Sequence, residues 1–220
     1  MKILVPIKRV ADPDNANKVK IGADGKSVST EGLSWDVNPF DLYAVEAAIR
    51  LTENGPKKER QGEVVVMTLG PAETVTQLRR CLAMGAERAI RVDADDAKLD
   101  AWVVARAIAK VYAKEKPDLV LMGKQVVDGD SNQAPQILAR MLGLPQATFI
   151  ATIAVKPGEN KAAVSREVDG GVLVSIISPV GASYRMNLRS PAFDSRPKQE
   201  KCLKNKKDKG EDSLDGHVAA

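Results

Sequence analysis

Apolar positions along the chain alternate between two periods up to about residue 146 and settle on one period after it. Ile3–Ile7 is a short continuous apolar run, the pattern of a buried strand. Residues 11–34, punctuated by Asp12-Pro13-Asp14-Asn15 and by Gly22 and Gly25, read as a long loop with a hairpin between Lys18–Ile21 and Ser27–Ser29. Asn38-Pro39 then opens a helix, with Asn as cap and Pro at the first helical position. Leu42, Val45 and Ile49 give that helix its inward face. Glu63–Leu69 is a second strand, followed by a helix over 72–84 that Gly85 stops. Ala89–Val92 is a short strand, Asp100–Lys114 a helix with Val103, Val104, Ala107, Ile108 and Val111 on one side, and Leu119–Met122 another buried strand. A polar loop leads into a helix over Asn132–Leu142, ended by Gly143 and Pro145. From there the period is two, and Ala147–Val155, Ala162–Val168 and Val172–Ile177 read as three antiparallel strands.

Strands alternating with helices predict an α/β fold with a doubly wound, mostly parallel sheet, to which antiparallel strands are added after residue 146. The α/β domain is expected to span residues 1–184. Periodicity is lost from about Arg185, so 185–220 is expected to be a disordered tail. That tail is basic. Residues 181–220 hold nine Lys/Arg against six Asp/Glu, which is most of the net charge of +4, and the body is almost neutral. A nucleic-acid-binding domain would carry its positive charge on the ordered part, so that class is disfavoured. The one histidine, His217, stands four residues from the end, which excludes a Ser-His-Asp triad in the body. Cys81 and Cys202 are far apart, without C-x-x-C spacing, and Cys81 falls among Leu78 and Leu82 as a packed thiol. No apolar run approaches the roughly 20 residues of a membrane span, and no secretory signal is visible. A reducing compartment is expected.

Ligands of open α/β sheets sit at the carboxyl ends of the strands. Three segments are expected to meet there: Pro6–Arg9, Leu69-Gly70-Pro71 and Gly123–Asn132. The third is Gly123-Lys124-Gln125-Val126-Val127-Asp128-Gly129-Asp130-Ser131-Asn132-Gln133. Its glycines allow close backbone approach and Lys124 can neutralise a phosphate. Ser131, Asn132 and the first N–H groups of the next helix suit an anion, and Asp128 and Asp130 suit ribose hydroxyls. The same residues equally suit a surface loop that caps a helix. Neither G-x-x-x-x-G-K-[ST] nor G-x-G-x-x-G is present, so P-loop hydrolysis and dinucleotide binding of the Rossmann type are not supported. Asp93, Asp95 and Asp96 read as a solvated turn, and Lys8-Arg9 as a pair placed for a ligand or partner.

Six stretches in consistent order resemble the β subunit of electron-transfer flavoproteins. They are Ile3–Val10, Val37–Ala48, Leu82–Ala89 with its A-M-G-A-E-R-A turn, the G-K-Q-V-V-D loop from Gly123 to Gln133, Pro145–Phe149, and Ser165–Gly171. The resemblance runs from residue 1 to about 172. Beyond it Leu173 stands where the family has glutamate, Tyr184–Asn187 is a faint echo, and the family's L-P-x-I-M stretch is missing. The C-terminus is therefore expected to depart from the family and to lack its dehydrogenase-docking loop.

What the resemblance implies is an electron-carrier subunit rather than an enzyme, with an adenine-nucleotide α-hydrolase-like fold. It implies one structural AMP held by Pro6, by Asn38, Pro39, Phe40 and Asp41, by Leu69, and by Gly123, Lys124, Gln125, Val126, Val127, Asp128, Gly129, Asp130, Ser131, Asn132, Gln133 and Ala134. It implies an α subunit that carries most of the FAD site. Acyl-CoA dehydrogenases and a membrane quinone oxidoreductase are implied as transient partners. The compartment would be a bacterial cytoplasm or the mitochondrial matrix. A stand-alone adenine-nucleotide sensor of the same fold is the alternative. A small hydrolase or transferase is weaker, since no nucleophile–base pair is visible.

Overall fold

The computed structural model describes residues 1–186 apart from 27, 30, 55–58, 96, 97, 156–160, 169, 170 and 178–182. Strand β1 is Lys2–Pro6, and a short ribbon pairs β2 (Arg9–Ala11) with β5 (Trp35–Val37). Between them a 3-10 turn covers Pro13–Lys18, and the expected hairpin forms from β3 (Lys20–Ile21) and β4 (Val28–Ser29). Helix α1 is Pro39–Thr52. A second small hairpin, β6 (Glu53–Asn54) with β7 (Glu59–Arg60), leads to the long strand β8 (Glu63–Gly70). Helix α2 is Val75–Met84, β9 is Arg88–Asp93, α3 is Ala101–Glu115, β10 is Leu119–Gly123 and α4 is Ala134–Leu142. Strands β11 (Gln146–Val155), β12 (Ala162–Val168), β13 (Gly171–Ile177) and β14 (Ser183–Met186) complete it.

Eight strands form one sheet in the order β13-β12-β11-β14-β10-β1-β8-β9. The pairs from β11 through β14, β10, β1 and β8 to β9 are parallel, and β12 and β13 add antiparallel pairs at one side. Both faces are covered, because the parallel strands alternate their apolar side chains between two cores. Ile3, Val5, Val64, Val66, Leu119 and Leu121 pack with α1 and α2, where Val45, Ile49, Leu78 and Cys81 meet them. Leu4, Val65, Met67 and Val120 join Ile90 and Val92 on the other face, against Ala105, Ile108 and Val111 of α3 and Leu138 of α4. The doubly wound sheet with antiparallel strands after residue 146 is thus present.

The β2–β5 ribbon and the β6–β7 hairpin are additions to the sequence reading, and α4 and β14 also differ from it. Helix α4 begins at Ala134 rather than Asn132, because Asp130 and Asn132 have φ of 45° and 58°, a left-handed backbone no helix continues through. β14 was not legible, and it inserts between β10 and β11, parallel to both. It runs two residues past the domain boundary expected at 184, and four residues are too few to display a period. Residues 187–220, the rest of the expected tail, lie outside the described residues. Among the described residues no helix is long and apolar enough to cross a membrane.

Candidate functional site

The chain leaves β1 toward β8 on one side and returns to β10 on the other. The winding therefore reverses between β1 and β10, and a crevice opens at their carboxyl ends. A cavity of about 210 Å³ occupies it. Its walls are Pro6–Arg9 from the end of β1, Leu69 from β8, Met122–Val126 from β10 and its loop, and Ser131–Pro135 from the start of α4. A fifth wall comes from the start of α3 and the residues before it, with Leu99, Asp100, Ala101, Val104 and Ile108.

Of the residues singled out from the sequence, Pro6, Asp41, Leu69, Gly123, Lys124, Gln125, Val126, Ser131, Asn132, Gln133 and Ala134 line this cavity. Asn38, Pro39, Phe40, Val127, Asp128, Gly129 and Asp130 do not. The α3 wall was missed. The signal for it was there: β9 ends at the same edge, and Asp100 is a good cap before an apolar period.

The start of α1 is the brace of the site. Asp41 is buried, and its Oδ2 accepts the Lys8 N–H at 2.8 Å while Gly123 also donates its N–H to the carboxylate. One side chain thus ties the end of β1 to the end of β10. Burial pushes the Asp41 carboxyl up to about 7, against the pull of the Lys8, Asn38 and Gly123 hydrogen bonds. Gly123 is required here. A Cβ on it would stand 2.8 Å from Phe40 C and Asp41 N, and closer still to Asp41 Oδ1.

Asn38 was expected to cap α1, but it makes no side-chain cap. Its Nδ2 donates to Gln125 O at 2.8 Å and its Oδ1 accepts the Val127 N–H at 3.3 Å. The fully buried amide therefore clamps the loop after β10. The partners lie 87 and 89 residues away, where no local capping rule reaches. Asp128 pairs with Lys8 Nζ at 2.7 Å on the surface rather than facing the cavity.

The two helix N-termini at the cavity are unlike. Asp100 caps α3, its side chain accepting the Val103 N–H at 2.7 Å. α4 has no side-chain cap, so the dipole and first-turn N–H groups of its N-terminus stand at the Ser131–Pro135 wall. The pocket is thus anion-accepting at α4 and Lys124, acidic at Asp100, and apolar along Leu69, Val104, Ile108 and Met122.

The sequence model of the family described as "Electron transfer flavoprotein domain" matches residues 26–203. The electron transfer flavoprotein subunit beta of Bradyrhizobium diazoefficiens is 41% identical over 205 residues, covering 93% of this chain and 79% of the relative. The chain belongs to the electron transfer flavoprotein β-subunit family. The human subunit beta is 38% identical over 210 residues, 94% of this chain and 79% of its own length. That of Dictyostelium discoideum is 38% identical over 208 residues, with 94% and 78% covered. The match to the electron transfer flavoprotein domain continues to residue 203, well past residue 172, where the motif resemblance was expected to end. Electron transfer flavoproteins are electron carriers, and the doubly wound sheet described above is the frame on which this member builds its crevice.

Proposed function

We propose that this chain is the β subunit of a heterodimeric electron-transfer flavoprotein and that its crevice holds one AMP as a structural element. The observation that carries the second part is the pairing of an uncapped α4 N-terminus and Lys124 with an apolar wall in one cavity. A planar base suits the Leu69, Val104, Ile108 and Met122 wall, and a phosphate suits the α4 end. Left-handed Asp130 and Asn132 fold the loop so that Ser131, Asn132 and the α4 start share one wall. Bound only to the folded state, the nucleotide would add stability and fix the loop that Asn38 and Asp41 brace.

In this reading an α subunit holds most of an FAD, which supplies the redox chemistry when bound. Electrons come from acyl-CoA and related dehydrogenases and leave to a membrane quinone oxidoreductase. The setting is a bacterial cytoplasm or a mitochondrial matrix. Relatives from a bacterium and one named as mitochondrial, from Arabidopsis thaliana, support either compartment.

Co-expression with the matching α subunit tests this. A yellow complex of one copy each, releasing near-stoichiometric AMP on denaturation as read by mass spectrometry, is the expected result. A colourless protein with nucleotide and no α partner would favour the stand-alone sensor. A yellow complex without adenine nucleotide would leave the subunit assignment and remove AMP from it.

A further inference from the structure

Phe149 stands in left-handed backbone, with φ of 56°. Bulky residues rarely adopt it, and among the described residues no other aromatic does. The residue sits where β11 slips register against β14, between Ala147 and Ile150. Its neighbours are fixed. Ala147 and Ile150 are buried, and Thr148 is held by Arg166, whose Nε donates to Thr148 O at 2.6 Å and whose second guanidinium nitrogen donates to Thr148 Oγ1 at 3.0 Å. The bulge thus turns the ring outward, leaving it 37% exposed between the buried Ala147 and Ile150.

The ring meets Lys124, whose Nζ lies 5.2 Å from its centroid. Lys124 follows Gly123, which Asp41 anchors, and it lines the cavity together with the start of α4. A lysine has four freely turning bonds and no intrinsic preference for one direction. A fixed aromatic face gives its ammonium one place to rest.

We propose that Phe149, held outward by the bulge of β11, is the positioning residue that keeps the Lys124 ammonium at the pocket mouth for the ligand's phosphate. This rests on the reading of the cavity as an AMP site. The strained backbone is held by the buried Ala147 and Ile150 and by the Arg166 bonds to Thr148. Phosphate binding then depends on a residue that itself need not touch the ligand.

The test uses the full chain stripped of nucleotide, titrated calorimetrically with AMP and with adenosine, which lacks the phosphate. Phe149→Asn keeps a side chain that tolerates left-handed backbone but has no ring. It is expected to weaken AMP about five- to tenfold and adenosine less than about twofold. Phe149→Tyr keeps a ring and is expected to restore AMP affinity. In a Lys124→Met background, Phe149→Asn is expected to have no further effect on AMP. Without any ligand, Phe149→Asn is expected to move the Lys124 ε-methylene proton resonances downfield, since the ring current is removed. Equal losses for AMP and adenosine, or unmoved lysine resonances, would overturn this proposal while leaving the AMP site in place. An unsubstituted chain that binds neither ligand would remove the AMP site, and the proposal with it.

Discussion

The Asp41 carboxylate lies against the α-carbon of Gly123, in the space where any side chain at position 123 would have to stand. The contact presses the first turn of α1 onto the end of β10 and so sets the back of the crevice. Gly123→Ala is expected to cost about 2–3 kcal/mol, since the obstacle is backbone as well as side chain and cannot swing aside. Urea unfolding of the two proteins at one pH measures it. A loss below about 0.5 kcal/mol would show that α1 can retreat from β10.

Asp41 also makes stability depend on pH. Its carboxyl is raised from an ordinary value of 3.8 to about 7 by burial. The folded state then binds a proton that the unfolded state has released across that window. This contribution is fully present below about 3.8 and is lost as pH rises through about 7. Its limiting slope is about 1.4 kcal/mol per pH unit. Asp41→Asn is expected to flatten the stability profile between pH 5 and 8 relative to the parent. Parallel profiles would place the titration elsewhere.

Asn38 and Asp128 separate a brace from a ribbon of surface charge. Asn38→Ala leaves the part-buried Gln125 carbonyl and Val127 N–H without their partner and is expected to cost about 0.5–1.5 kcal/mol. Asp128→Ala breaks only a half-exposed pair with Lys8 and is expected to cost less than about 1 kcal/mol. Thermal unfolding, with retained nucleotide measured by mass spectrometry, checks both. Loss of nucleotide from Asp128→Ala at unchanged stability would give Asp128 the ribose contact that its position outside the cavity argues against.

Cys81 is buried in the core beneath α1, and desolvation together with the Asp41 and Asp36 charges pushes its thiol up to about 12. Thiolate is the reactive form, so the folded protein should leave Cys81 unmodified by iodoacetamide at pH 8. Peptide mapping after labelling, with and without urea, distinguishes it from Cys202. Rapid labelling of folded Cys81 would mean that α2 opens readily.

Much of this molecule was legible in short windows of sequence. Ile3–Ile7, Val64–Met67 and Leu119–Met122 are apolar runs because parallel strands covered on both faces need apolar side chains on both. The helices follow from their period and from Gly85 and Gly143, which close α2 and α4 through backbone that glycine adopts without strain. The order of strands and helices, with the rule that ligands gather at carboxyl ends, was enough to choose Pro6, Leu69 and the loop from Gly123. Tertiary structure alone decided the rest, because the deciding contacts join residues far apart in the chain. Asn38 looks like a cap until its amide is seen to reach Gln125 and Val127. Asp128 reads as a ribose ligand in the loop sequence, and in the fold its carboxylate pairs with Lys8, 120 residues away. Phe149 is one position in a strand of period two until the bulge turns it onto Lys124. A local pattern fixes most of the buried side chains, since burial follows period. Which polar group answers which is settled only when the folded sheet brings the ends of β1 and β10 together around the first turn of α1.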